Sequence, residues 1–128
     1  MRITHTVFGI ALSFSLIGCA LTPSAPSAIE IAERPGEKAL LAGIRAYEDA
    51  QYTDAERLLN QALQIGLASA KDRAAAHKHL AFIFCATRRT PACEAAFKAA
   101  KQADSTFALS KSEAGHPLWG PVYERLQP

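Results

Sequence analysis

Residues 80–100 read LAFIFCATRRTPACEAAFKAA, two helix-periodic apolar runs joined by a short polar, proline-containing turn. Within it, Ala81, Cys93, Phe97 and Ala100 lie 38 positions beyond Gly43, Ala55, Leu59 and Ala62. Small, small, large apolar and small residues thus recur in the same order and at the same spacing. Two copies of an antiparallel helical hairpin explain the recurrence, with small residues where backbones approach and large ones between the helices. No segment alternates polar and apolar residues with period two, so strands are not expected and the fold class is all-α.

The spacings within each copy resemble those of a tetratricopeptide repeat. Leu80-Ala81, Phe84, Cys93, Phe97 and Ala100 give the fuller match, and Gly43, Tyr52, Ala55, Leu59 and Ala62-Leu63 the other. Ala39 and Ala46 sit where larger residues are usual, and the period exceeds the standard 34 by four, a surplus that fits the connector from Gly66 to Arg73. Local signals agree with four long helices. The first follows Pro35-Gly36, and the second opens on a capping box of Thr53 with Glu56 and stops at Gly66. The third runs from about Lys71 to Thr87, and the fourth opens at Thr90-Pro91, where a missing N–H costs nothing. Two repeats leave an apolar face uncovered. The C-terminal segment is expected to cap it through Leu109, Leu118, Trp119, Val122, Tyr123 and Leu126, with Trp119 against the fourth helix near Phe97 and Phe107. Ser110 with Glu113 forms a further capping box, and Pro117 and Pro121 divide the cap into two short helices with a break at Gly115–Pro117.

The first residues are of a different kind. Arg2 precedes an apolar run from Val7 to Ile17 that ends in Leu16-Ile17-Gly18-Cys19, the layout of an export signal. An uncleaved membrane anchor is the competing reading, and the run is too short for a span of about 20 residues. A plain secretory signal with a chance cysteine is the other alternative. The four residues ending at Cys19 resemble the lipobox of bacterial lipoproteins. That resemblance implies lipidation of Cys19, cleavage of residues 1–18, and attachment to the outer membrane facing the periplasm, since Ala20 stands where inner-membrane retention usually shows Asp. Residues 19–35, with Pro23, Pro26 and Pro35 among Ser and Ala, read as a lipidated flexible tether, and residues 36–128 as the folded domain.

The chain carries 14 basic and 12 acidic side chains. Without Arg2 the balance is nearly even, which gives no reason to expect nucleic acid as a partner. With Cys19 assigned to lipid, Cys85 and Cys93 remain as a pair in an oxidising compartment. They fall near the end of one helix and the start of its antiparallel partner, so a disulfide stapling the hairpin is expected, two buried thiols being the alternative.

Chemistry finds few candidates. His77 and His79 point about 200° apart on a helix, whereas zinc on one helix face wants positions i and i+4. His77 falls at a repeat core position. His116 has no nearby nucleophile or carboxylate in a triad-like pattern. Glu30, Glu33 and Glu37 lie in or beside the tether, and Arg88-Arg89 reads as dipole complementation on a solvated turn. No catalytic residue, metal or cofactor is therefore expected. The repeat does suggest a partner-binding groove on the inner helix faces, formed by Leu40, Ile44, Tyr47, Lys78 and Phe82, for a peptide or helix of another protein. The alternative is that the tether or C-terminal cap covers these residues, in which case His116, Trp119 and Tyr123 form the recognition segment.

Residues 77–83 (HKHLAFI), Cys85, Cys93, Phe97 and the ending EAGHPLWGPVY at 113–123 resemble the small repeat-containing lipoproteins that accompany type VI secretion systems, the TssQ-type accessory lipoproteins. The resemblance implies a periplasm-facing adaptor or assembly accessory with a protein partner in the cell envelope. A pilotin-like or general envelope scaffold is the alternative within binding proteins, and a cell-wall hydrolase or its activator the alternative among enzymes. If the lipobox reading holds, Cys19→Ser yields a precursor that no longer fractionates with the outer membrane. A mature-sized Cys19→Ser band still in that fraction would refute the anchor.

Overall fold

The turns that close the two hairpins are copies of each other in backbone as well as in sequence. Ala50 and Arg88, 38 positions apart, are the two non-glycine residues with positive φ among the described residues, at 58° and 61°. After each, a backbone N–H reaches five residues back, from Gln51 to the Ala46 carbonyl at 2.8 Å and from Arg89 to the Phe84 carbonyl at 2.8 Å. This left-handed closure satisfies carbonyls that a helix end leaves without partners. The period read from apolar spacing is thus a period of the fold.

These observations come from a computed structural model that describes Ala25 and residues 27–128; Cys19, the signal segment and most of the expected tether before Ala25 lie outside the described residues. In chain order the described helices are α1 (Ala28–Ala32), α2 (Pro35–Glu48), α3 (Tyr52–Ile65), α4 (Ala70–Ala86), α5 (Thr90–Ala103), α6 (Lys111–Ala114) and α7 (Gly120–Arg125). No strand occurs among the described residues, and no described helix is long and apolar enough to cross a membrane. The protein is all-α: α2–α3 and α4–α5 form the two hairpins, and α6 and α7 cap them.

The repeated small residues sit where the helices meet. Ala55, Ala62, Ala81, Cys93 and Ala100 are fully buried, as is Leu59. A Cβ on Gly43 would come within 2.9 Å of the Leu59 side chain, so α2 crosses α3 at that glycine. Near the other end of the hairpin, a Cβ on Gly36 would run into the Gly66 carbonyl oxygen. Gly66 takes a φ of 106° to end α3, a conformation that glycine adopts without strain. The connector to α4 is held by side chains: buried Glu37 accepts from the Ala68 N–H at 3.2 Å, and Arg73 donates to the carbonyls of Leu67 and Ala68.

Three local expectations are corrected. Helix α3 starts at Tyr52 with no side-chain cap, so Thr53 lies inside its first turn and the expected Thr53–Glu56 box does not form. Glu56 instead accepts two bonds from Arg89, at 3.1 and 2.7 Å, and the Arg89 guanidinium lies over the Phe84 ring. Arg89 therefore ties the second hairpin's turn to α3 rather than merely complementing a helix end. Capping signals are local, and a partner 33 residues away outcompeted this one. Helix α4 does have a side-chain cap, Ser69, whose hydroxyl accepts from the Asp72 N–H. The flexible-tether reading of residues 19–35 is also revised in part, since residues 28–32 form α1 and α2 begins at Pro35. Pro35 suits a first helical turn for the same reason as Pro91 in α5.

Cys85 and Cys93 form a disulfide, with Cα atoms 5.3 Å apart and a sequence separation of 8. The closed loop is short, so the bridge contributes about 2 to 3 kcal/mol by restricting the unfolded chain. Urea denaturation of Cys85→Ser, Cys93→Ser and the double variant should show losses of that size in all three, because each breaks the same bond. A reduced wild-type protein as stable as the oxidised one would show that the bridge does not stabilise the fold.

Candidate functional site

The C-terminal segment is built as a clamp before it becomes a surface. After α5, Asp104 turns the chain by accepting from the Thr106 N–H and hydroxyl at 2.9 and 2.6 Å. Ser110 then opens α6 with the expected capping box: its hydroxyl accepts from the Glu113 N–H, and its own N–H donates to a Glu113 carboxylate oxygen at 2.9 Å. The other carboxylate oxygen accepts from Lys78 Nζ on α4 at 2.7 Å. One side chain therefore starts the cap and fastens it to the repeat. The break at Gly115–Pro117 and the second short helix also form as the sequence indicates. A Cβ on Gly120 would overlap the Ala114 carbonyl oxygen, so α7 can fold back on α6 only with glycine at this crossing.

Trp119 seals the clamp. Its ring is stacked on Phe82 with centroids 4.2 Å apart, and its Nε1 donates to the Glu113 carbonyl at 2.8 Å. His116 stacks on Trp119 at 3.5 Å with planes 3° apart. Two rings this close cannot share one face of the indole, so Trp119 lies between Phe82 and His116. Tyr123 reaches the other hairpin helix, packing edge-on against Phe97 and Phe107 while its hydroxyl accepts from the Leu109 N–H.

The α4 part of the groove expected from the sequence is thereby covered. Phe82 is 3% exposed under Trp119 at 8%, and Leu40 is also buried. Ile44 and Tyr47 are half-buried, and Lys78 is paired with Glu113. The five residues do lie along one side of α2 and α4, with Tyr47 near Phe82 and His79, but the cap occupies the α4 part of that side. The expected seat of Trp119 on the fourth helix is corrected too. It packs on Phe82 of α4, because the reversal after α5 carries residues 113–119 back across the hairpin, while Tyr123 takes the place beside Phe97 and Phe107.

Of the recognition residues, Trp119 and Tyr123 are buried as anchors, and His116 is partly exposed. Leu118, just before buried Trp119, is 53% exposed. Burial pushes the pKa of His79 down, with its Nδ1–H donating to the Ala75 carbonyl at 2.8 Å as an opposing influence; burial also lowers that of half-buried His77. At the position where the repeat places a core residue, the His77 side chain is half-buried rather than fully enclosed. Among the described residues, no three His, Cys, Asp or Glu side chains gather as a metal site.

Burial raises the Glu113 pKa, but hydrogen bonds from Lys78 and Ser110 outweigh it and hold the carboxyl below its ordinary 4.5. Its contribution to folding is therefore complete above that value and disappears as pH falls through the lower folded-state pKa. The histidines add a separate loss that begins near their ordinary 6.5, because folding favours their neutral forms. Acid titrations followed by Trp119 emission should show a step below pH 4.5 that Glu113→Gln removes. The emission of the neutral protein should be blue-shifted, and Trp119→Ala should cost about 3 kcal/mol or more in denaturation.

No protein-family model matches this chain, and no curated protein or solved structure is significantly similar to it.

Proposed function

We propose that this chain is a periplasm-facing, lipid-anchored adaptor that holds another envelope protein in place, as an assembly accessory of a type VI secretion system. The observation that carries the reading is the clamped C-terminal segment. Trp119 and the Lys78–Glu113 pair fix its backbone, yet Leu118 and part of His116 remain at the surface. A rigid apolar point beside a polar ring is a low-entropy contact for a protein partner, since little order is lost on binding. The hairpin disulfide suits an oxidising compartment, and the lipobox at Cys19 supplies the membrane address. The secretion-system assignment rests on the resemblance of the 77–83 and 113–123 segments.

The test places a photo-crosslinking amino acid at Leu118, and another at Asn60 on the exposed side of α3 as control, in cells that assemble the apparatus. The Leu118 probe should capture a sheath, baseplate or membrane-complex component, and the Asn60 probe should not. Capture of pilus or secretin components would move the protein to a pilotin-like scaffold; capture of nothing by either probe would refute the adaptor reading. Leu118→Asp should reduce capture while leaving stability within about 0.5 kcal/mol, as exposed positions usually do. Phe82→Asp would serve poorly, because the buried carboxylate would unfold the clamp.

A further inference from the structure

An apolar opening lies away from Leu118, between α5 and α7. It has a volume of about 340 Å³, with Phe97 and Tyr123 as its buried floor, half-buried Phe107 and Leu126 as its walls, and Lys98 and Lys101 at its rim. The two lysines are three apart on α5 and so stand on the same side of the helix. We infer that this cleft is a second docking site on the adaptor, taking an acidic peptide segment that inserts one large apolar side chain. The inference rests on the adaptor reading and adds to it the chemistry of the partner.

The charges at the rim favour an acidic occupant because the carboxylates nearest in sequence, Glu94 and Asp104, spend their hydrogen bonds on other groups. Glu94, four residues before Lys98, stands in the order that favours a Glu–Lys pair on a helix. It instead bonds Arg125 of α7 at 3.1 Å. Asp104, three residues after Lys101, accepts from both the N–H and the hydroxyl of Thr106 and feels the Lys101 charge through space, without a direct bond to it. Neither Lys98 nor Lys101 takes part in an ion pair among the described residues, whose pairs use Arg57, Lys78, Arg89 and Arg125. Lys101 Nζ donates to the Phe107 carbonyl at 3.2 Å, which holds the ammonium at the mouth with further N–H donors available. The cleft is at the small end of the range for ligand sites, about 300–1,000 Å³, which suits a side chain better than a long acyl chain. Flanking carboxylates would then meet the lysines at the rim.

The full chain can be titrated calorimetrically with acetylated Glu-Glu-Phe-Glu-Glu, with Lys-Lys-Phe-Lys-Lys and with Glu-Glu-Ser-Glu-Glu. The first peptide should bind, and the other two should not. Lys98→Glu with Lys101→Glu, exposed changes that should preserve the circular dichroism spectrum, should weaken the first peptide by about tenfold or more. Phe107→Ala should weaken it without changing the salt dependence. Absence of binding by the first peptide, or binding that the charge reversal leaves intact, would overturn the inference. So would binding to phosphatidylglycerol vesicles that the charge reversal abolishes, without peptide binding, which would make the rim a lipid-surface contact. Leu118 crosslinking separates the two readings: capture by the wild type with no peptide binding removes the cleft alone, whereas no capture by the wild type removes the adaptor.

Discussion

The stack of Trp119 on Phe82 is the contact on which the arrangement of this protein depends. Two helical hairpins bury their shared seam but leave the side of α4 that carries Lys78 and Phe82 open to water. Covering that side with an indole removes a large apolar area, and aromatic stacking adds about 0.5–1.5 kcal/mol beyond area burial. The indole N–H needs a partner once buried, and the Glu113 carbonyl supplies it within the same segment. Glu113 in turn reaches Lys78. The apolar and charged contacts therefore fix the same short piece of chain, which would be too small to fold alone.

Stability in the remainder is distributed by repetition. Each hairpin closes with a left-handed residue at an equivalent place, and each seam is lined by small residues that let the backbones approach. Two ties then join the copies across distance. The Glu56–Arg89 pair links α3 to the second turn, and the aromatic series from Tyr47 through Phe82 to Phe97 and Tyr123 runs from the first hairpin to the cap. The exposed ion pair contributes little by itself. Its geometric role is to set the second turn against α3, while burial along the aromatic series supplies most of the attraction.

The cap also decides which surfaces of the described fold remain open. An uncovered repeat would offer its inner helix faces, but here the α4 part of that side holds the chain's own residues 113–119. Among the surfaces left open are an exposed point at Leu118 and an apolar cleft with a basic rim between α5 and α7. These surfaces differ in character, one protruding and apolar, the other recessed and cationic.

The sequence alone determined the elements whose causes are local. Apolar spacing marked the two hairpins and their period of 38; Gly66, Pro91 and the Ser110–Glu113 box marked helix ends, because caps and turns act within a few residues. The Cys85–Cys93 pairing was legible because a short turn between antiparallel helices leaves those cysteines few other positions. The tertiary structure decided what depends on contacts between distant residues: that Glu56 abandons its local cap for Arg89, that Trp119 chooses Phe82 over Phe97, and that the α4 part of the expected groove is covered. A period records which side of a helix is apolar. It does not record which of several apolar segments will cover that side, since the choice depends on where the chain reverses after α5 and on the geometry with which the rings then meet.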